Sequence, residues 1–226
     1  MKYLFFLCLM FIALFLCSCA GSGNIVSVVT SPAYQELELK NVKILACINP
    51  KGIYIENKLL VKELGEGNPD QVYQSFFKSV FVNSVKRYSF NNSVTYETFS
   101  IDSLSDVIRF SPTADVSSPI HLPKTGADFQ KDSVQFIIFI DSLRAYSGSG
   151  VGFMPGVWLY SQDNFSHECK FFIWDNLKKR VVSYGLVAGR EPVPFLVPRK
   201  NEWTNSLIKM TREIMRKTPF YNWKGE

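Results

Sequence analysis

The run from Val134 to Ile140, apolar except for Gln135 and bounded by Ser133 and Asp141, constrains the fold more than any other stretch. A half-buried strand alternates apolar with polar residues, and a short run that does not alternate belongs to a strand buried on both faces. Val134–Ile140 is therefore expected at the centre of a sheet, and the rest of the chain must supply its neighbours.

Several segments qualify. Val42 to Ile48 reads as the first strand, closed by the turn-rich Asn49-Pro50-Lys51-Gly52, and Ile53 to Glu63 as a further extended piece. Ser93 to Phe99 has strand character, as does Val157 to Tyr160. Leu143 to Tyr146 prolongs the central strand up to a glycine-rich loop, Ser147 to Gly156. Cys169–Trp174 and Val181–Val187 flank the polar Asp175–Arg180 and read as a hairpin. Arg190 to Pro198, with three prolines, reads as a crossing segment. Between Ile101 and Asp132 the pattern is irregular, with one short helix expected over Leu104–Arg109 to relieve an otherwise overlong loop.

Two helices stand out. Asn68-Pro69-Asp70-Gln71 is a helix start: Asn can accept from orphan amides, Pro loses no bond in the first turn, and Asp complements the dipole. Tyr73, Phe76, Phe77, Val80, Phe81 and Ser84 follow at helical spacing, a stripe that reads as core and not as a cofactor site. Trp203, Leu207, Met210, Ile214 and Met215 define a second amphipathic helix from about Asn201 to Lys217. The second half lacks crossover helices, so the expected class is α+β: a single domain, with a mostly antiparallel sheet and two main helices packed on one face.

The N-terminus carries a different signal. Met1-Lys2 leads into fourteen apolar residues, Tyr3 to Leu16, and then Cys17-Ser18-Cys19. The stretch is shorter than the roughly 20 residues of a membrane-spanning helix and has the form of an export signal. Leu16 and Ser18 sit three and one positions before Cys19, and in this they resemble the lipobox of bacterial lipoproteins. Cys17 fits less well, because the bulky Leu16 occupies the small-residue position.

That resemblance implies a signal peptide over 1–18, acylation of Cys19 with palmitate-type chains, and a lipid-anchored, periplasm-facing place at the outer membrane, since Ala20 is not the aspartate of inner-membrane retention. Residues 19–36 are then a lipidated cysteine and flexible tether, and 37–226 the folded domain. The order of elements over 40–217 is also similar to the small domain shared by the penicillin-binding-protein activator LpoB, the curli secretion lipoprotein CsgG and the N-terminal part of TolB. That similarity rests on element order and transfers no functional residue.

The formal net charge of +5 is too mild and dispersed for nucleic-acid binding, and export argues against it as well. Export would leave Cys47 and Cys169 as the domain's thiols, each in an apolar run; they can form a disulfide or remain two buried thiols. No cofactor and no metal site is expected. His121 and His167 lack ligand partners at metal spacing, and consecutive side chains in His167-Glu168-Cys169 point to opposite faces of a strand. Ser147-Gly148-Ser149-Gly150 lacks the G-x-S-x-G spacing of a nucleophile elbow. Asp141 and Asp175 raise the possibility of a glycosidase pair, although turn aspartates are commonplace.

The segment holding Phe153, Met154, Trp158 and Tyr160 is the expected contact surface, if its glycines keep it exposed, and otherwise core. The functional expectation is a non-enzymatic envelope lipoprotein, membrane-bound through lipid, that serves as accessory or binding module for an envelope protein or glycan. A self-assembling subunit of a secretion or transport complex is the alternative, and an envelope glycan hydrolase is disfavoured. The sequence leaves the oligomeric state open.

Overall fold

In the computed structural model, the chain is described over 26–90, 92–98, 105–113, 116–124, 126–129, 133–154, 157–193 and 197–222, with backbone alone at 26, 105–113, 116–118, 149–154 and 157–162. Its main sheet has seven strands. These are β1 (Val26–Thr30), β2 (Lys43–Ile48), β3 (Ile53–Ile55), β4 (Ser93–Thr98), β7 (Phe136–Met154), β8 (Val157–Asp175) and β9 (Arg180–Val193), while β5 (Ser105–Thr113) and β6 (Val116–Pro123) form a separate antiparallel pair. The order across the sheet is β1-β9-β8-β7-β2-β4, with β3 also on β7. The β1-β9-β8-β7 half is antiparallel, whereas β2 runs parallel to both β7 and β4.

The core explains why Val134–Ile140 does not alternate. Phe136, Ile138 and Ile140 of β7 join Ile44, Ala46 and Ile48 of β2 on one face of the sheet. That face is covered by two helices, α1 (Pro69–Arg87) and α2 (Lys200–Met215), which contribute Phe77, Phe81, Trp203, Leu207 and Met210. Ile137 and Phe139 join Leu45, Phe172 and Trp174 on the other face, under Ile120 and Leu122 of β6 and Phe129. Phe139 and Phe172 stack there with centroids 4.9 Å apart. The α+β class and the two helices on one face agree with the sequence reading; the β5–β6 cover on the opposite face adds a layer to it.

Helix α1 starts where its sequence says, with the Asn68 side chain accepting from the amides of Asp70 and Gln71 and Pro69 in the first turn. Each fully buried ring on it, such as Phe77 or Phe81, contributes about 2 to 3 kcal/mol by leaving water. Helix α2 lies so close to the sheet that a Cβ on Gly189 of β9 would overlap the Ser206 carbonyl oxygen and the Met210 amide. Glycine is required there by space, not by backbone angle.

Four expectations need correction. Val26–Thr30 is not tether but an edge strand paired to β9, Val26 opposite Val187, so the sheet begins well before residue 37. The segment expected as a helix over Leu104–Arg109 lies mostly in strand β5. The β-branched Val107 and Ile108 suit a strand, and pairing with β6 satisfies backbone groups that a one-turn helix would have left unmatched. Ile53–Glu63 is a three-residue strand followed by a 3-10 helix, Lys58–Glu63, whose first turn is capped by the Asn57 side chain. Finally, the glycine-rich Ser147–Gly156 is not a loop, because β7 continues to Met154 in register with β8.

Candidate functional site at the ribbon root

Because β7 and β8 each run for 19 residues, they outgrow their neighbours. Strand β3 follows β7 only to Ala145, and β9 follows β8 only to the pair Asp163↔Val193. Beyond those levels, Gly150–Met154 and Val157–Gln162 pair only with each other among the described residues, forming a two-stranded ribbon that projects from the sheet. The expected contact residues Phe153, Met154, Trp158 and Tyr160 all lie on this ribbon; their side chains are outside the described set.

At the root of the ribbon the pairing register aligns residues that sequence distance hides. Tyr54 of β3 is opposite Arg144 of β7, which is opposite Glu168 of β8; one level up, Tyr146 is opposite Ser166, itself opposite Arg190. The Arg144 guanidinium lies 4.6 Å from the Tyr146 ring centroid and 5.8 Å from that of Tyr54. It is also 3.6 Å from the Glu56 carboxylate. Tyr54 is 56% exposed, too open for a core residue, so the row offers solvent an aromatic face beside a charged donor. Tyr146 donates to Glu168 at 3.5 Å. Its phenol is pushed above its ordinary pKa by burial first and by the Glu168 carboxylate second, while Arg190, Ser166 and Arg144 pull the other way.

On the helix side of the root lies a cleft of about 360 Å³ lined by Ile55, Asn57, Leu60, Ala145, Phe165 and Trp203, among others. Its aromatic wall is formed by Phe165 and Trp203, with centroids 4.2 Å apart. Against that wall sits His167, with no exposed surface, its ring 5.1 Å from Phe165, 5.8 Å from Trp203 and 6.1 Å from Tyr73. His167 Nδ1 is 2.6 Å from Ser206 Oγ, and Ser206 donates its own proton to the Trp203 carbonyl at 3.1 Å. Nδ1–H must therefore be the donor to Oγ, which leaves Nε2 a bare acceptor. Among the described residues, neither Nε2 nor the Tyr73 hydroxyl has a hydrogen-bond partner. Burial lowers the His167 pKa to about 3, so the ring stays neutral at physiological pH. This Ser–His contact is not a nucleophile and its base, since Ser206 is as fully buried as His167 and its proton is committed to the backbone.

The other chemistry-bearing residues are dispersed. Asp175 pairs with Phe136, five residues along β7 from Asp141, which separates the two carboxylates by about 17 Å. A glycosidase pair needs less than about 9.5 Å. Asp175 instead closes the β8–β9 turn: Oδ1 accepts from the amides of Leu177 and Lys178, and Oδ2 accepts from the Tyr34 hydroxyl at 2.6 Å. The Tyr34 hydroxyl in turn accepts from Arg180 Nε at 2.9 Å. Asp141 is buried on the opposite face, where Oδ2 lies 2.9 Å from His121 Nδ1 and accepts the His121 amide at 3.2 Å. Among the described residues no three His, Cys, Asp or Glu side chains converge as metal ligands.

Cys47 and Cys169 are buried and not bonded to each other. Cys47 belongs to the core under β6 and Cys169 to the core under the helices, and β7 lies between their strands. Two strand spacings and a four-residue offset along β7, where Cys47 is level with Phe139 and Cys169 with Leu143, put their backbones about 16 Å apart, past the reach of a disulfide, so the possible bridge between them is excluded. Burial, and secondarily Glu168, pushes the Cys169 thiol well above its ordinary pKa. The lipid-attachment candidate Cys19 lies outside the described residues. Among the described residues, no helix is long and apolar enough to cross a membrane.

No protein-family model and no curated protein sequence matches this chain. Similar solved structures include a homolog of a neuraminyllactose-binding hemagglutinin from Helicobacter pylori, at 12% identity, TM-score 0.40, covering 85% of this chain and 91% of that one. A PelC dodecamer from Paraburkholderia phytofirmans has 8% identity and TM-score 0.40, with 87% of this chain and 100% of that one covered. The hypothetical protein CT253 from Chlamydia trachomatis has 10% identity and TM-score 0.34 over 76% of this chain and 91% of that one.

Proposed function

We propose that this chain is a non-catalytic, lipid-anchored lipoprotein of the cell envelope, held at the periplasmic side of the outer membrane through Cys19, that binds another envelope component, protein or glycan, at the ribbon root. The observation that carries the reading is a contrast in accessibility. Among the described residues, most of those able to do chemistry are consumed by the fold: His167 and Ser206 are sealed between α2 and the sheet, Asp175 holds a turn, Asp141 is buried against His121, and Cys47 and Cys169 are buried on opposite faces. Residue types that recognise partners are presented: Tyr54 and the half-exposed Arg144 stand open at the base of a projecting ribbon. The Leu16-Cys17-Ser18-Cys19 pattern supports the anchor, and tethering raises effective concentration toward partners confined to the same compartment.

Two measurements test this. Labelling cells with a palmitate analogue is expected to mark the wild-type chain and not Cys19→Ala. A photo-crosslinker at position 54 of the full chain, in cells, is expected to give a discrete adduct that Arg144→Ala diminishes. Equal adducts from position 54 and from the exposed Leu177 at the far end of the sheet would remove the ribbon root as the binding site. Turnover of cell-wall glycan by the purified wild-type chain would refute the non-catalytic reading.

A further inference from the structure

Strand polarity connects the anchor to the ribbon. Strand β9 runs from Arg180 toward the ribbon root, and β1 is antiparallel to it, so the chain enters β1 from the ribbon side. Val26, at which β1 opens, therefore lies at the end of β1 nearer the ribbon. Val26 is level with Val187 and Cys169, and the ribbon ends at Met154↔Val157, twelve residues further along β8. Twelve strand residues extend about 40 Å, whereas the seven residues from Cys19 to Val26 reach at most about 25 Å. With the domain upright, the Met154↔Val157 pair thus lies at least about 15 Å beyond the furthest level that seven residues of chain let Cys19 reach.

The ribbon's composition suits the environment it would meet there. From Tyr146 to Gln162 there are seventeen consecutive residues without a charge, among them Val151, Phe153, Met154, Val157, Trp158, Leu159 and Tyr160. A two-stranded ribbon with no third strand is marginal in water. Trp and Tyr favour the membrane–water boundary, and the free levels of the ribbon, Gly150–Met154 with Val157–Gln162, fall short of the roughly 9 to 11 residues per strand that crossing a bilayer takes. We propose that the free levels of the β7–β8 ribbon, Gly150–Met154 with Val157–Gln162, enter the lipid interface as a second membrane contact beside the acylated Cys19, reaching the headgroup and upper acyl region without spanning. The lipid at Cys19 and the ribbon together would fix the orientation of the domain, holding Tyr54 and Arg144, eleven residues along β8 from the Met154↔Val157 pair, about 20 Å above the membrane surface. This inference rests on the anchor proposed above.

The test uses the full chain purified from its membrane and reconstituted in vesicles of phosphatidylethanolamine and phosphatidylglycerol doped with a phosphatidylcholine brominated near the headgroup end of its acyl chains. The difference in emission between wild type and Trp158→Phe isolates Trp158, and it is expected to be mostly quenched by the brominated lipid. Mass measurement of the Cys19 peptide in the same sample reports the anchor separately. An acylated Cys19 with unquenched Trp158 overturns the inference and leaves the anchor standing; an unmodified Cys19 overturns the anchor, and with it the paired contact. If Trp158→Phe fails to fold, amide exchange of the wild type at 150–162 replaces it: slower exchange with vesicles than in detergent supports insertion, and no change refutes it. Slow exchange in both, with cross-links between ribbons of two copies, would assign the ribbon to self-assembly and overturn membrane insertion.

Discussion

Acid should destabilise this domain through His167, and the size of the effect follows from its burial. In the folded chain the imidazole stays neutral down to a pKa of about 3, against an ordinary value of 6.5. The unfolded chain takes up a proton as pH falls below about 6.5 and the folded chain does not, so the unfolded state is stabilised by about 1.4 kcal/mol per pH unit. Stability is intact above that pH, falls by about 2 kcal/mol on reaching pH 5, and loses about 4 to 5 kcal/mol by pH 3, where the folded form protonates as well. His167→Phe removes the titration while keeping a ring between Phe165 and Trp203. At pH 7 it forfeits one bond to Ser206, about 1 kcal/mol, and relieves the orphaned Nε2, so it should be close to neutral. Guanidinium unfolding of both proteins at several pH values, followed by circular dichroism, should show the wild type losing about 2 kcal/mol more than the variant between pH 6.5 and 5. Parallel losses would mean that His167 protonates in the folded state near its ordinary pKa, and the picture of a sealed, neutral ring would be wrong.

Other consequences concern packing and reactivity. Gly189→Ala would drive a methyl into the backbone of α2 at Ser206 and Met210, and chemical denaturation should show a loss of at least about 2 kcal/mol. Thiol alkylation followed by mass spectrometry should leave Cys47 and Cys169 unmodified in the native protein and label both after unfolding without reductant; labelling of neither would reveal the bridge that the geometry forbids. At high pH, the Tyr34 hydroxyl, pushed up to about 12 by burial and then by its bond to Asp175 while Arg180 opposes, contributes stability that is present below about pH 10 and drains as pH rises toward 12. Tyr34→Phe should flatten that alkaline loss in thermal melts taken across the range.

What was legible in the sequence, and what was not, divides along the range of the interaction. The start of α1 is written in four consecutive residues, because a cap is a local hydrogen bond, and Asn68 makes the contacts its position implies. The double burial of β7 was legible for the same reason, since a strand covered on both faces needs apolar residues at every position. Strand β1 was missed because Pro32 follows it closely and its strand partner among the described residues, β9, lies more than 150 residues away. The ribbon was misread as a loop because Gly148, Gly150 and Gly152 weaken the strand signal, although residues that face no sheet neighbour need not carry packing side chains. The row of Tyr54, Arg144 and Tyr146 shows the limit most clearly. Arg144 and Tyr146 are two apart on one strand, so their common face was available from the sequence. Tyr54 joins them only because β2, the Asn49–Gly52 turn and β3 run in succession along β7, with Gly52 packed so tightly on the Asp141 carbonyl that any side chain would collide. A glycine chosen for its lack of bulk thus sets the register that brings an exposed tyrosine to an arginine ninety residues on. If the proposed binding at the ribbon root is right, Gly52→Ala should therefore weaken it in the position-54 cross-linking assay, as well as cost stability, even though residue 52 lies outside the row.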